Sequence, residues 1–224
     1  DECGIYLDDW VGLGNARLSI LDLAGGTQPI HNEDESLWIV YNGEIFNYPE
    51  LREDLQKKGH TFVTSSDTEV IVHLYEEKGP ACLGDLNGQF AFAIWNANKK
   101  ELFLARDRVG IHPLYYLIRE DYLIFASEIK SIFMDEHLAR DIKPASIHQV
   151  FSFWTTLPGE TIFKNIQELP PGHYLKASQT KITVKKYWDL PFYPPAEQLT
   201  SPADQICERI QELLLDAVRI RLRA

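Results

Sequence analysis

The chain has 224 residues, enough for one large domain or for one domain and part of another, and a chain of this size buries roughly 70% of its unfolded surface without disulfide staples. Its 45% hydrophobic and 25% charged residues make an ordinary soluble composition, and a net charge of -11 with no basic stripe to offset it argues against nucleic acid or anionic lipid as a main partner. Cys3, Cys82 and Cys207 are scattered, with no CxxC pair and no Cys/His metal spacing, so they read as reduced thiols of a cytoplasmic protein. The seven histidines are equally dispersed and read as solvated or core residues, with no metal site expected. The longest strongly apolar run, FAFAIW at 90–95, is far too short to span a bilayer, and no signal-peptide pattern is visible.

In chain order, Gly4-Ile5-Tyr6 starts a strand-like pattern, and Leu37-Trp38-Ile39-Val40-Tyr41 is a buried strand expected to end at Asn42-Gly43. A helix is expected over 49–58: Pro49 sits in its first turn, where a missing N–H costs nothing, and Gly59 follows as its C′ residue. Ser66 caps a second helix over 67–78, with Asp67 and Glu69 favourable in its first turn and Gly79 at its end. Two hairpins follow, 89–95 with 101–105 and 113–118 with 122–126. Their short polar turns make neighbouring strands antiparallel, in a sheet expected to be covered on both faces. A third helix is expected from Pro144 to about Phe153, and 181–188 reads as a last strand. The proline-rich stretch 190–201 reads as a linker. After it, Ser201-Pro202 opens a helix whose face of Ile206, Ile210, Leu213, Leu214, Ala217 and Val218 needs a partner to cover it.

Asn42-Gly43 is by itself a strong turn signal. It is also a good pair of donors: the Asn42 amide and the Gly43 N–H can both point at one developing oxyanion, and one such donor is worth about 2.7–4 kcal/mol in a transition state. With GLGNARLSILDL upstream and SSDTEVIVHLYEE downstream, the chain resembles the class II glutamine amidotransferase domain of glutamine-hydrolysing asparagine synthetases. YNGEIFNYPELR, LNGQFAFAIWN, LFLARDRVGIHPLYY, FASEIKSI, LPGETIFKNIQELPPGHYL and YWDL extend the match in the family's order over nearly all of residues 4–189.

The resemblance implies an α+β fold of the N-terminal-nucleophile type, an αββα sandwich of two antiparallel sheets between helical layers, missing its first strands. It implies an amidotransferase domain over 1–189, a linker over 190–201, and the first helix of a truncated ATP-binding synthetase domain over 202–224. It also assigns roles. Arg17 pairs with the α-carboxylate of glutamine, a task suited to a guanidinium fork. The backbone of Leu18, Ser19, Ile20 and Leu21 lines the same pocket. Asp67 and Glu44 hold the α-ammonium group, and Asn42 and Gly43 form the oxyanion hole. Each has a plainer rival: an exposed ion pair for Arg17, a helix cap for Asp67, a solvated turn for Glu44.

In the family the nucleophile is an N-terminal cysteine whose own α-amine takes the thiol proton. Cys3 stands too close to Arg17 for that role and reads as a strand-edge residue. The catalytic cysteine is therefore expected upstream, and the chain as it stands is expected to be inactive. The implied activity of the full protein is glutamine hydrolysis feeding ammonia to an ATP- and Mg-dependent synthetase domain that converts aspartate to asparagine, with no cofactor in these residues. Partners are glutamine and the protein's own synthetase domain; a homodimer is compatible with the resemblance. Two rivals remain: a related amidotransferase with another acceptor, as in polysaccharide biosynthesis, and a non-catalytic amidotransferase-like binding module. Asn15-Ala16 and His112 depart from the family's usual residues.

Overall fold

The structure is a computed structural model, and it describes residues 2–17, 26–194 and 200–222. Its centre is a six-stranded antiparallel sheet ordered β11-β10-β6-β5-β4-β3. The strands are β3 (Ile30–His31), β4 (Leu37–Ile45), β5 (Gly88–Asn96), β6 (Glu101–Arg106), β10 (His173–Ala177) and β11 (Ile182–Lys186). Helices α1 (Tyr48–Lys57) and α2 (Asp67–Lys78) cover one face. Leu55 of α1 and Val70, Ile71, Leu74 and Tyr75 of α2 share a core there with Ile39, Tyr41, Ile45, Phe92, Ile94 and Phe103 of the sheet.

The opposite face carries two smaller sheets. One is the hairpin β1 (Glu2–Leu7) with β2 (Gly12–Arg17); the other has three strands, β8 (Leu123–Ala126), β7 (Tyr115–Ile118) and β9 (Gln167–Glu168). Leu13, Val40, Ala93, Trp95, Leu104, Leu114 and Tyr116 fill the space between. Leu117 of β7 packs with Ile132 of the short helix α3 (Ile129–Ile132), which closes the outer side of the three-stranded sheet. Helix, sheet, sheet and helix thus stack in the expected α+β sandwich.

Local chemistry sets the helix ends. Ser66 caps α2 by accepting from the Thr68 N–H, and Pro49 and Pro144 occupy the first turns of α1 and of α4 (Pro144–Phe153). Three β-branched residues in a row, Val70-Ile71-Val72, are poor helix formers, yet all three are fully buried in α2, so packing outweighs propensity.

Two expectations need correction. β4 does not end at Asn42-Gly43 but runs on to Ile45, because β5 pairs with it over nine residues. The two hairpins do not share a sheet either: β5 and β6 lie in the central sheet, β7 and β8 in the three-stranded one. The connection between them is built on Asp107. Its Oδ1 accepts from the N–H groups of Val109, Gly110 and Ile111, and its Oδ2 from those of His112 and Phe90. Beside it, buried Arg106 donates to the carbonyls of His112, Leu169 and Gly110 and pairs with Glu168. His112 thus serves the turn through its main chain.

α5 (Ala203–Arg221) exposes Ile210, Leu213, Leu214 and Val218, and Arg221 at its end lies over the ring of Phe46 at 4.4 Å. Among the described residues no helix is long and apolar enough to cross a membrane.

Candidate active site

The site begins at one edge of β4, where no described strand pairs beyond Ile39. β3 pairs with β4 only at Ile39 and Trp38, which leaves the edge of β4 beyond them without a neighbouring described strand. Alternate N–H groups of an extended strand face the same edge. The Tyr41 N–H on this edge donates to Gln28 Oε1 at 2.6 Å, and the Ile45 N–H donates to Asp67 Oδ2 at 2.9 Å. Gly43 lies midway between them and faces the same way. Its partner in register, Phe90, confirms this: both main-chain groups of Phe90 are engaged with Asp107, so the Gly43–Phe90 pair is not hydrogen-bonded. Among the described residues no hydrogen bond uses the Gly43 N–H.

Only glycine fits here. A Cβ at position 43 would stand 2.1 Å from the Gln89 carbonyl oxygen and 2.7 Å from Phe90 Cα, and the backbone has φ of +151°. Asn42, beside it, is exposed and lines a cleft of about 540 Å³ between β4–β5, the β1–β2 hairpin and residues 125–131.

Asp67 is buried and tied to two elements at once. It stands in the first turn of α2, where a carboxylate suits the helix dipole. It also reaches the sheet: Oδ2 accepts from the Tyr41 hydroxyl at 2.8 Å as well as from Ile45, while Oδ1 has the Ser66 hydroxyl at 3.5 Å. Burial raises its carboxyl above the ordinary range, against the pull of the Ile45 N–H and the Tyr41 hydroxyl, which favour the charged form. Glu44 is half-buried. Its carboxyl is also raised, by burial first and then by the charge of Asp67, with Arg221 opposing. A carboxyl whose charge is disfavoured by burial and by a neighbouring carboxylate is a place suited to a cation.

Arg17 is the last residue of β2, opposite Glu2 in register; its side chain lies outside the described residues, as do Leu18, Ser19, Ile20 and Leu21 altogether. Two neighbours, Gln28 and Asn15, were given no role by sequence reasoning. Gln28 is buried and joins three elements: its Oε1 accepts from Tyr41 N–H and Asn15 Nδ2, and its Nε2 donates to Thr68 Oγ1 at the start of α2. Asn15 Nδ2 also reaches the Tyr41 carbonyl at 3.4 Å, which gives this departure from the family pattern a physical role. No short-range signal marks either residue, since their partners lie 13 to 40 positions away.

Cys3 is exposed on β1 and borders the same cleft as Asn42; no described hydrogen bond or ion pair reaches its thiol. Cys82 is fully buried, and burial pushes its thiol up to about 12, which makes it inert. Among the described residues, polar donors and carboxylates cluster at this edge, but no thiol stands paired with a base.

A family model described as a glutamine amidotransferase domain matches residues 1–188. Asparagine synthetase (glutamine-hydrolyzing) 2 of Bacillus subtilis is 42% identical over 231 residues, covering 97% of this chain and 30% of that protein. Asparagine synthetase (glutamine-hydrolyzing) 1 of the same organism is 37% identical over 225 residues, covering 100% of this chain and 35% of that protein. The chain therefore spans about a third of the length of these relatives. Among solved structures, a glutamine phosphoribosylpyrophosphate amidotransferase from B. subtilis, complexed with ADP and GMP, matches with a TM-score of 0.56 and 24% identity. It covers 79% of this chain and 35% of that one, a likeness of fold.

Proposed function

Because the chain belongs to the glutamine amidotransferase domain family, we propose that its residues seat glutamine at the open edge of β4 and that the full-length protein hydrolyses the side-chain amide. One observation carries the proposal: the Gly43 N–H and the Asp67 carboxylate share that edge, with the Asn42 amide on the adjacent cleft. In this reading Asp67 and Glu44 hold the α-ammonium group and Arg17 pairs with the α-carboxylate. The backbone of Leu18, Ser19, Ile20 and Leu21 completes the seat.

A thiolate attacks the carboxamide carbon. Asn42 Nδ2 and Gly43 N–H take up the negative charge that develops on the amide oxygen; the proton taken from the thiol passes to the departing nitrogen, ammonia leaves, and water then releases glutamate and the thiol from the thioester. In this reading the nucleophile is an N-terminal cysteine outside these residues, as the resemblance to the family implies, and without it these residues alone are inactive.

The ammonia passes to a synthetase domain that uses ATP and Mg to convert aspartate to asparagine in the cytoplasm. The greater length of the asparagine synthetase relatives supports this step. Residues 1–189 form the amidotransferase unit, 190–201 the linker, and α5 the first element of the synthetase domain, whose surface covers its exposed apolar face.

Kinetics on the full-length protein test the proposal. Asn42→Ala lowers kcat for glutamine hydrolysis by about 10²–10³ with KM little changed, the mark of a contact made in the transition state. Arg17→Ala raises KM. An Asn42→Ala protein with full kcat refutes the oxyanion assignment.

A further inference from the structure

Glu33, His60 and the neighbouring α2 residues His73 and Glu76 come from three separate segments and meet beside α2, away from its N-terminus. Their potential ligand atoms all lie within 4.8 Å of one another. Glu33 comes from the turn before β4, His60 from the loop between α1 and α2, and His73 and Glu76 from successive turns of α2. The Glu33 carboxylate straddles the two imidazoles, 3.2 Å from Nδ1 of His60 and 3.2 Å from Nδ1 of His73. Glu76 Oε2 stands 3.9 Å from His73 Nδ1 and is oriented by the Asn32 amide at 3.1 Å.

His73 is the telling residue. It is completely buried, and neither ring nitrogen makes a well-formed hydrogen bond: the Glu33 carboxylate stands 3.2 Å from Nδ1 and the Glu69 carboxylate 3.6 Å from Nε2. Buried polar groups are normally satisfied, and an exception needs a cause. The far nitrogen of each imidazole already faces a carboxylate: His73 Nε2 lies 3.6 Å from Glu69, and His60 Nε2 lies 3.4 Å from Glu77. A metal-binding histidine commonly has such a partner, which fixes the tautomer and turns the other lone pair toward the metal.

We propose that Glu33, His60, His73 and Glu76 bind a divalent cation of the zinc class, with Glu69 and Glu77 orienting the two imidazoles. Two imidazoles and two carboxylates suit Zn²⁺ better than Ca²⁺ or Mg²⁺, which take oxygen ligands. Tetrahedral ligation at about 2.1 Å sets ligand atoms about 3.4 Å apart. The cluster is therefore slightly open and closes by rotation of Glu33 and Glu76, whose side chains are each 38% exposed. A bound ion ties the loops at 33 and 60 to α2. Its role is structural, separate from the glutamine seat.

The test uses the full-length protein, stripped with a chelator and titrated with ZnCl₂ and then CoCl₂. One equivalent of zinc binds in a manner sensitive to these residues and raises the thermal midpoint of the amidotransferase domain. The cobalt form shows four-coordinate ligand-field bands without a thiolate charge-transfer band. His60→Ala and Glu33→Gln each weaken zinc binding about tenfold or more and abolish the rise in midpoint, whereas Cys207→Ser changes nothing. Should His60→Ala fail to fold, the near-isosteric Glu76→Gln carries the same expectation. Absence of a stoichiometric site, affinity unchanged in Glu33→Gln and Glu76→Gln, or a thiolate band overturns the proposal and leaves a network of histidine–carboxylate contacts.

Discussion

Asp67 offers the sharpest separation of stability from binding. In Asp67→Ala, the Tyr41 hydroxyl and the Ile45 N–H lose their shared acceptor inside the core. Each buried donor left unmatched costs about 1–3 kcal/mol, so the variant loses about 2–6 kcal/mol. At about 2–4 °C per kcal/mol for a domain of this size, its thermal midpoint falls by roughly 4–24 °C. Asp67→Asn keeps an acceptor oxygen for both donors and removes only the charge. The sign of that change follows from the raised carboxyl. The folded chain holds the proton to a higher pH than the ordinary 3.8, so the ionised group works against folding once pH rises through that window. At neutral pH Asp67→Asn is therefore within about 1 kcal/mol of the parent or more stable than it. Glutamine binding behaves oppositely. The loss of a charged partner for the α-ammonium group, about 1.5–3 kcal/mol, weakens binding by roughly 10- to 150-fold. Differential scanning fluorimetry and glutamine titration of the full-length protein read the two effects separately. If Asp67→Asn is destabilised as much as Asp67→Ala and binds glutamine normally, the carboxylate is only a structural brace.

Three other outcomes are expected. Gly43→Ala loses about 3 kcal/mol or more in urea unfolding, since its Cβ meets backbone at 2.1 Å and 2.7 Å and no side chain can yield; a variant of parental stability contradicts the register drawn for β4 and β5. Glu69 is buried, which alone would raise its pKa, but the His73 ring, the Thr64 hydroxyl and the N–H groups of Val63 and Thr64 hold it down at about 2. Against an ordinary 4.5 this amounts to about 3 kcal/mol as an upper value, fully present above pH 4.5 and lost as pH falls toward 2; urea midpoints of Glu69→Gln across that window should be flatter than the parent's. Arg106→Lys keeps the charge but loses the fork that serves three carbonyls, and destabilises by about 3 kcal/mol in the same assay.

Local chemistry made much of the fold legible. Pro49, Ser66, Gly59 and Pro144 mark helix ends because each acts within one turn of itself, and the observed helices fall within a residue or so of those marks. Asn42-Gly43 misled for the same reason. Its turn preference is local, whereas nine register pairs with β5 are not, and the glycine is needed for the close approach of the Gln89 carbonyl. Short turns at Asn96 and Arg119 correctly made neighbours antiparallel but carried no information on which sheet each hairpin joins. Asp107 and Arg106 decide that through bonds to segments as distant as Leu169. At the candidate site, Asn42, Gly43 and Glu44 stood out because they interrupt an apolar run and Asp67 as a first-turn helix acid, but the ligand roles of Glu44 and Asp67 came only from the family resemblance. Gln28 and Asn15 did not stand out, because their worth lies in long-range bonds that only the folded chain forms.

The most direct measurement is a crystal structure of the full-length protein with glutamine held as its thioester or in a nucleophile-deficient variant. The account predicts the amide oxygen 2.7–3.1 Å, the usual span for oxyanion donors, from both Asn42 Nδ2 and Gly43 N, with Asp67 on the α-ammonium group. A glutamine seated elsewhere, with another group on the Gly43 N–H, contradicts it.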